Sequence, residues 1–137
     1  MINVFLKNKL KNSMKKSLIY GSIILIVIFN LSCKKNQVGG TASLKGLVAH
    51  HGKAIPDAYV YIKYNATEFP GDDYTLYDTY VVADGSGNYS IPFYKGSYYI
   101  YAKGYDYQIA PPYIVKGGIS ISIRNSENLN KDIAVAE

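Results

Sequence analysis

The single cysteine of the chain, Cys33, is the first residue whose surroundings indicate a particular chemistry. It closes the apolar run "LIYGSIILIVIFNLS", and Lys34 and Lys35 follow it directly. A thiol in a protein core would need apolar neighbours on both sides, and a lone cysteine cannot form an intramolecular disulfide. A thiol between an apolar segment and a polar stretch is instead placed for attachment to a membrane.

The two histidines, His50 and His51, raise the question of a Tyr/His metal site in a chain with fifteen tyrosines. Neighbouring residues of a strand point to opposite faces, so both imidazoles cannot easily bind one ion. We interpret the two residues as a solvated turn pair, and we predict no metal and no cofactor.

Tyrosine is the most unusual part of the composition, since thirteen of the fifteen lie between Tyr59 and Tyr107 and the chain has no tryptophan. A tyrosine ring with its hydroxyl suits protein interfaces and stacking on sugar rings. Exposed tyrosines can also simply form cross-strand pairs. Both interpretations stay open for the outward-facing set, which is the candidate binding surface: Tyr59, Tyr61, Tyr99 and Tyr101.

The elements that would position these side chains are strands, because from Thr41 onward short runs of residues alternate between apolar and polar. We predict an all-β fold, a single antiparallel Greek-key-type sandwich of seven or eight strands preceded by a helical signal peptide. The predicted strands cover residues 43 to 49, 58 to 64, 74 to 83, 88 to 93, 97 to 103, 112 to 116, 119 to 124 and 129 to 135.

Turn-forming residues occupy the gaps between these strands. The segment "DGSG" at 84 to 87 predicts a tight hairpin turn, and the dipeptide "KG" at 95 to 96, 103 to 104 and 116 to 117 is read in the same way. Pro92 lies inside a predicted strand. Because proline cannot donate a hydrogen bond to the ladder, we expect that strand at a sheet edge or at a bulge.

Alternation also predicts which side chains point inward. Lysine marks the solvent side, so the residues facing the core are Ala58, Val60, Ile62 and Tyr64, then Tyr98, Ile100 and Ala102, then Ile119, Ile121 and Ile123, and finally Ile133 and Val135.

The formal net charge of +5 does not indicate a nucleic-acid-binding surface. Residues 1 to 32 hold five lysines and no acid, whereas the rest of the chain holds ten basic and ten acidic side chains. A phosphate-binding surface needs clustered Lys and Arg. We therefore predict no nucleic-acid partner.

The first 32 residues have the layout of a signal peptide, a basic end followed by a short apolar stretch. Near Cys33 the segment resembles a bacterial lipoprotein signal, which implies diacylglycerol on the thiol and cleavage after Ser32. We predict that translation starts at Met14. An ordinary signal peptide or an uncleaved anchor is the alternative.

The resemblance implies an outer-membrane lipoprotein held in the membrane through its lipid. "KKNQVGG" after the cysteine lacks an acidic sorting stretch, so the side facing the periplasm is favoured over the cell surface. The predicted organisation is a signal peptide at 1 to 32, a flexible tether at 33 to 41 and a folded domain at 42 to 137.

The segments "GLVAHHGKAIPDAYVYI" at 46 to 62, "ADGSGNYSIPF" at 83 to 93 and "KGSYYIYAKGYDY" at 95 to 107 together resemble the carboxypeptidase regulatory-like domain, a transthyretin-like β-sandwich. The resemblance covers residues 43 to 135. It implies a non-catalytic binding or structural module whose partner is an unknown envelope protein or a glycan. The alternatives are carbohydrate binding through the tyrosine face and a metal-dependent enzyme on the same fold.

Overall fold

The computed structural model describes residues 35 to 137, which belong to one compact unit, Lys34–Glu137. The unit is built from nine strands and one 3₁₀ turn, Tyr74–Leu76. No helix in this part of the chain is long and apolar enough to cross a membrane. The strands are β1 Val38–His50, β2 Lys53–Ala54, β3 Tyr59–Tyr64, β4 Thr79–Val82, β5 Asn88–Phe93, β6 Gly96–Tyr105, β7 Ile114–Ile123, β8 Asn128–Asn130 and β9 Ile133–Ala134.

The first sheet has five strands and is organised around β1. Strands β2 and β5 pair with β1 in antiparallel fashion. The short strands β8 and β9 pair with β1 in parallel. Strand β5 has β1 as its sheet partner and so lies at an edge, which confirms the prediction made from Pro92.

The second sheet has four antiparallel strands in the order β4-β3-β6-β7. Strands β3 and β6 are adjacent, with Val60 opposite Ala102 and Ile62 opposite Ile100. Strand β7 follows β6 along its whole length, from Gly96 opposite Ile123 to Tyr105 opposite Ile114. The sheet is therefore a regular, continuous platform.

The core lies between the inner faces of the two sheets. Leu44, Ile91 and Phe93 from the first sheet and Ile62 and Ile100 from the second are fully buried, and all belong to one apolar cluster. The predicted inward faces are confirmed, because every residue in those sets is buried or packs against the cluster. The all-β sandwich is thus confirmed, with nine strands and two parallel pairings that were not predicted.

Several predicted strands have different bounds in the structure, and the one predicted at 129 to 135 is divided into β8 and β9. The predicted strand at 74 to 83 is regular only from Thr79, because Asp73 caps a 3₁₀ turn by accepting a 2.9 Å hydrogen bond from the backbone N–H of Thr75. The predicted strands at 112 to 116 and 119 to 124 form one strand, β7. The "KG" pairs at 103 to 104 and 116 to 117 lie inside strands, so their assignment as turns was wrong.

Strand β1 begins inside the predicted tether. Its first residue is Val38, and Val38 pairs with Phe93 of β5. Residues 38 to 41 are therefore part of the sheet and not linker. The predicted signal peptide and Met14 lie outside the described residues.

Candidate binding surface

The four tyrosines of the predicted surface do share one side of the second sheet. Tyr59 and Tyr61 come from β3, and Tyr99 and Tyr101 come from the adjacent strand β6. Tyr61 is directly opposite Tyr101, with ring centroids 6.3 Å apart. The residues that alternate with these tyrosines along β3 and β6 point into the core, so all four rings project from the outer face.

The segment of residues 65 to 78, which connects β3 to β4, covers part of this outer face. Phe69 lies 5.3 Å from the ring of Tyr101 and 5.8 Å from that of Tyr99. Tyr77 stacks on Tyr101 at 5.5 Å with an interplanar angle of 15°. Only 3% of Tyr101 is exposed as a result. Tyr101 faces outward as predicted, but it is a buried residue and not part of an open surface.

Asp72 fixes the covering segment to the sheet. Its carboxylate accepts a 2.6 Å hydrogen bond from the hydroxyl of Tyr101 and another of 2.6 Å from Nζ of Lys116. The Lys116 and Tyr101 donors hold the pKa of Asp72 below its usual value. Burial, followed by the bond to Asp72, raises the pKa of Tyr101. Tyr101 therefore stabilises the covering segment and is unavailable to a ligand.

Beside the covered part of the face is an open aromatic cleft of about 420 Å³. Tyr59 and Tyr61 stack at 6.0 Å with an angle of 17°, and Tyr80 of β4 lies 5.7 Å from Tyr59 and 5.9 Å from Tyr61. We call this group the aromatic cleft, and its tyrosines are Tyr59, Tyr61, Tyr74, Tyr77 and Tyr80. Three of its rings are at least 46% exposed: Tyr59, Tyr74 and Tyr80.

Within the described residues, most hydroxyls of the cleft have no hydrogen-bond partner. The Tyr77 hydroxyl donates to the carbonyl of Gly71 at 2.9 Å. Among residues 35 to 137, no side-chain hydrogen bond involves the hydroxyl of Tyr59, Tyr61, Tyr74 or Tyr80. Partial burial raises the pKa of Tyr61, and the charges of Tyr59 and Tyr80 raise it further. The Tyr61 hydroxyl therefore stays protonated well above neutral pH. The cleft thus offers ring faces together with unused hydroxyl groups.

Tyr99 belongs to a different site. With Phe69, Asp72 and Lys116 it lines a recess of about 320 Å³ on the other side of the covering segment. Its ring lies over Gly118 of β7, where an added Cβ would come within 2.7 Å of the ring. The predicted four-tyrosine surface is therefore divided. Tyr59 and Tyr61 are in the aromatic cleft, Tyr99 is in the recess, and Tyr101 is buried between them.

Three members of the cleft were not predicted: Tyr74, Tyr77 and Tyr80. Tyr74 and Tyr77 lie in or beside the 3₁₀ turn, and Tyr80 lies on β4 opposite Tyr61. The sequence signal for them was the tyrosine density of "YTLYDTY" at 74 to 80. Its assignment to a single strand concealed which of these rings could reach β3.

The interpretation of the histidines as a solvated pair is wrong for His50. Only 4% of His50 is exposed, and its Nδ1 is 2.8 Å from Oδ2 of Asp106. The bond from His50, and then the N–H of Gln108, lower the pKa of Asp106. His51 does lie exposed in the turn, with a positive φ of 48°. The described part of the chain holds no group of three His, Cys, Asp or Glu side chains that could bind a metal.

Asp84 organises the predicted "DGSG" turn. Its Oδ1 accepts hydrogen bonds of 2.8 Å from the N–H of Ser86 and 2.9 Å from the N–H of Asn88. Those bonds lower the pKa of Asp84, with Asn88 the larger contributor. The carboxylate thus holds the turn between β4 and β5. Cys33 lies outside the described residues.

Comparisons with known proteins add little to this geometry. No protein-family model matches the sequence, and no curated protein is significantly similar to it. A similar solved structure is the crystal structure of a DUF3823 family protein from Parabacteroides merdae, with 14% identity and a TM-score of 0.44 over 69% of this chain. The match spans 45% of the length of that protein. At this TM-score the likeness carries no structural or functional argument.

Proposed function

We propose that the protein is a lipid-anchored envelope protein whose β-sandwich is a non-catalytic binding module, with the aromatic cleft as its ligand surface. One observation supports this most strongly. Five tyrosine rings from β3, β4 and the covering segment converge on a cleft of about 420 Å³ that no segment of residues 35 to 137 fills. Exposed aromatic side chains gathered in a concave site are typical of binding surfaces.

The proposed family is the carboxypeptidase regulatory-like domain. The order of the motifs in the chain supports it, from Gly46 and Val48 through Pro56 and Asp84 to Gly104. Members of this family act as accessory modules, which suits a site made of tyrosines without a nucleophile and base pair. His50, the one buried imidazole, is already bonded to Asp106, so we assign it a structural role.

The proposed anchor is a lipid on the Cys33 thiol, in the outer membrane with the domain facing the periplasm. Replacing Cys33 by alanine is expected to abolish incorporation of labelled palmitate and to release the domain from the membrane fraction. Replacing Ser32 by alanine, which keeps a small residue at the cleavage position, is the matched control and should leave both unchanged. Membrane-bound, unlabelled wild-type protein would contradict lipidation and indicate an uncleaved anchor.

Carbohydrate is the second candidate, as the specific ligand class of the cleft. Sugar rings combine an apolar face, which stacks on tyrosine, with hydroxyls that need hydrogen-bond partners. The cleft provides exposed rings at Tyr59, Tyr74 and Tyr80, together with the hydroxyls that make no bond in the described chain.

Removing two exposed rings is expected to weaken ligand retention. In affinity electrophoresis through soluble glucan, xylan and mannan, the double variant Tyr59→Ala/Tyr80→Ala should lose about tenfold in affinity, since each stacked ring contributes roughly 0.5 to 1.5 kcal/mol. The matched control is Tyr105→Ala/Tyr107→Ala, which removes an exposed stacked pair outside the cleft. Equal loss in both variants would contradict a role for the cleft.

A protein ligand is distinguished by cross-linking in intact cells. A photoreactive phenylalanine at position 80 should capture one defined partner, and the same group at position 107 should not. Glycan retention without a cross-linked protein would favour the carbohydrate candidate. If the domain retained no glycan and also gave no cross-link at position 80, the proposed binding module would be contradicted.

A further inference from the structure

One end of the sandwich carries a basic, polar cleft of about 820 Å³. It lies where β3 and β7 end, where β6 begins and where the chain enters β1. Its cationic side chains are Lys35, Lys95 and Arg124, which we call the basic end. The remaining lining is mainly Asn, Ser and Thr, and it contains no acidic residue.

The entry of the chain into the domain is fixed at this same end. The backbone N–H of Asn36 donates to the carbonyl of Lys95 at 3.1 Å, and Oδ1 of Asn36 accepts a 2.9 Å bond from the N–H of Ser97. Gly96 makes room for this contact, since an added Cβ would lie 1.8 Å from Oδ1 of Asn36. Asn36 is thus held against the connection between β5 and β6.

This attachment limits the distance between the domain and position 33. Three residue steps separate Cys33 from Asn36 in the sequence. Extended chain spans about 3.6 Å per residue, so the two positions can be at most about 11 Å apart. A lipid on Cys33 would therefore hold the basic end close to the headgroups, without the longer tether expected from the sequence.

The cations of the basic end are available to an outside partner. The ion pairs of residues 35 to 137 are His50–Asp106, Lys63–Asp78 and Lys116–Asp72, and none of them includes the basic end. Two acidic side chains lie near it in the chain. Glu127 accepts a 2.7 Å bond from the backbone N–H of Arg124, and Glu68 is exposed beside Thr67. Lys34 adds a further positive charge in the sequence.

We propose that the basic end is a membrane-contacting surface that binds the phosphate groups of anionic phospholipid in the membrane holding the anchor. The proposal rests on the lipid anchor proposed above. Lysine and arginine next to an anionic membrane are attracted to its phosphates, and the attraction decays within about 10 Å at moderate salt. The chain between Cys33 and Asn36 spans at most about 11 Å, which is comparable with that range. The aromatic cleft, built from β3, β4 and their connection, remains for the ligand.

Vesicle sedimentation of the domain without its leader tests this surface independently of lipidation. Residues 34 to 137 are suitable because every buried core side chain among the described residues lies between Ala42 and Val135. Vesicles of phosphatidylcholine are compared with vesicles that also contain phosphatidylglycerol. Each basic side chain is expected to contribute about fivefold to the partition coefficient. The triple variant Lys35→Gln/Lys95→Gln/Arg124→Gln should therefore bind phosphatidylglycerol vesicles roughly a hundredfold more weakly.

A control variant of equal net charge separates a local surface from overall charge. Lys45, Lys53 and Lys131 are exposed and do not line the cleft, so their replacement by glutamine should change binding little. Equal weakening in both variants, or equal binding to both vesicle types, would overturn the proposal. Chemical-shift changes at Ser97 and Ser122 with inorganic phosphate, in a domain that does not bind vesicles, would also overturn it and indicate a small-anion site.

Incorporation of labelled palmitate at Cys33 is measured in cells, separately from vesicle binding. Vesicle binding by the basic end with an unlabelled Cys33 would support the surface and remove only the proposed anchor. A labelled Cys33 with no phosphatidylglycerol dependence would keep the anchor and overturn the surface. The two failures are therefore distinguishable.

Discussion

Replacing Tyr98 by alanine is expected to lower the free energy of unfolding by about 3 to 5 kcal/mol. Tyr98 is fully buried, and its ring lies 4.3 Å from Phe93 of the opposite sheet and 6.0 Å from Tyr64 in an edge-to-face arrangement. The substitution leaves a cavity where the two sheets meet. A loss of this size is a large part of the stability of an ordinary domain, and urea denaturation followed by circular dichroism measures it.

Tyr98→Phe separates the ring from its hydroxyl. The hydroxyl is 2.6 Å from the carbonyl of Tyr94 and 3.2 Å from that of Gln37, so its removal should cost only about 1 kcal/mol. Burial raises the pKa of Tyr98 to about 12. In the unfolded chain the Tyr98 hydroxyl ionises near pH 10, whereas in the folded protein it stays protonated up to about pH 12. The contribution of Tyr98 to the free energy of unfolding is therefore lost as the pH rises from 10 to 12. The Phe variant should lose less stability over that window. Equal costs for Ala and Phe would contradict the assigned packing.

Replacing Gly46 by alanine is expected to destabilise the domain by about 3 kcal/mol and to lower Tm by on the order of 15 °C. An added Cβ would lie 1.8 Å from the carbonyl oxygen of Lys131. That oxygen also accepts a 2.5 Å bond from the hydroxyl of Tyr89, and the N–H of Lys131 donates to Lys45 at 2.8 Å. The connection between β8 and β9 would have to move away from β1. Thermal denaturation measures the effect.

Gly85→Ala is the matched control for that substitution. No atom lies within 4 Å of the Cβ it would add, and Gly85 has no positive φ. Alanine should therefore leave Tm unchanged or raise it slightly, because it reduces the freedom of the unfolded chain. If Gly46→Ala were tolerated as well as Gly85→Ala, the parallel packing of β8 and β9 against β1 would be wrong.

The inward-facing residues could be predicted because the signal for them is local. In a strand the side chains alternate, so a lysine at position 63 places Ile62 on the opposite face, and Lys103 does the same for Ala102. Both Ile62 and Ala102 are fully buried. The same rule placed Tyr59 and Tyr61 outside. Alternation gives the face of a side chain but not what covers that face.

What covers a residue depends on distant parts of the chain, and here prediction failed. His50 is buried against Asp106, 56 residues further on. Tyr101 is buried by Phe69 and Tyr77, which belong to a segment with no regular pattern. Both contacts depend on how a connection folds back over a sheet, and composition carries no signal for this.

Glycine caused the errors at "KG", because the same residue serves turns and close contacts. Gly117 lies in β7, where an added Cβ would be 2.2 Å from the carbonyl oxygen of Ala134, and Gly104 lies in β6, where an added Cβ would be 2.5 Å from Cγ2 of Ile55. In both places glycine permits close approach within a strand. A single sequence cannot separate this role from a turn.

The pairing of β8 and β9 with β1 also has a consequence for the order of folding. Ser43 of β1 bonds to Asn128 of β8 across 85 residues. A chain made from its N-terminus presents β1 first, and one flank of that strand stays unpaired until residues 128 to 134 emerge. Closing so long a loop is slow. The first sheet is therefore completed only after the second, and β1 keeps one edge unpaired until β8 and β9 have been made.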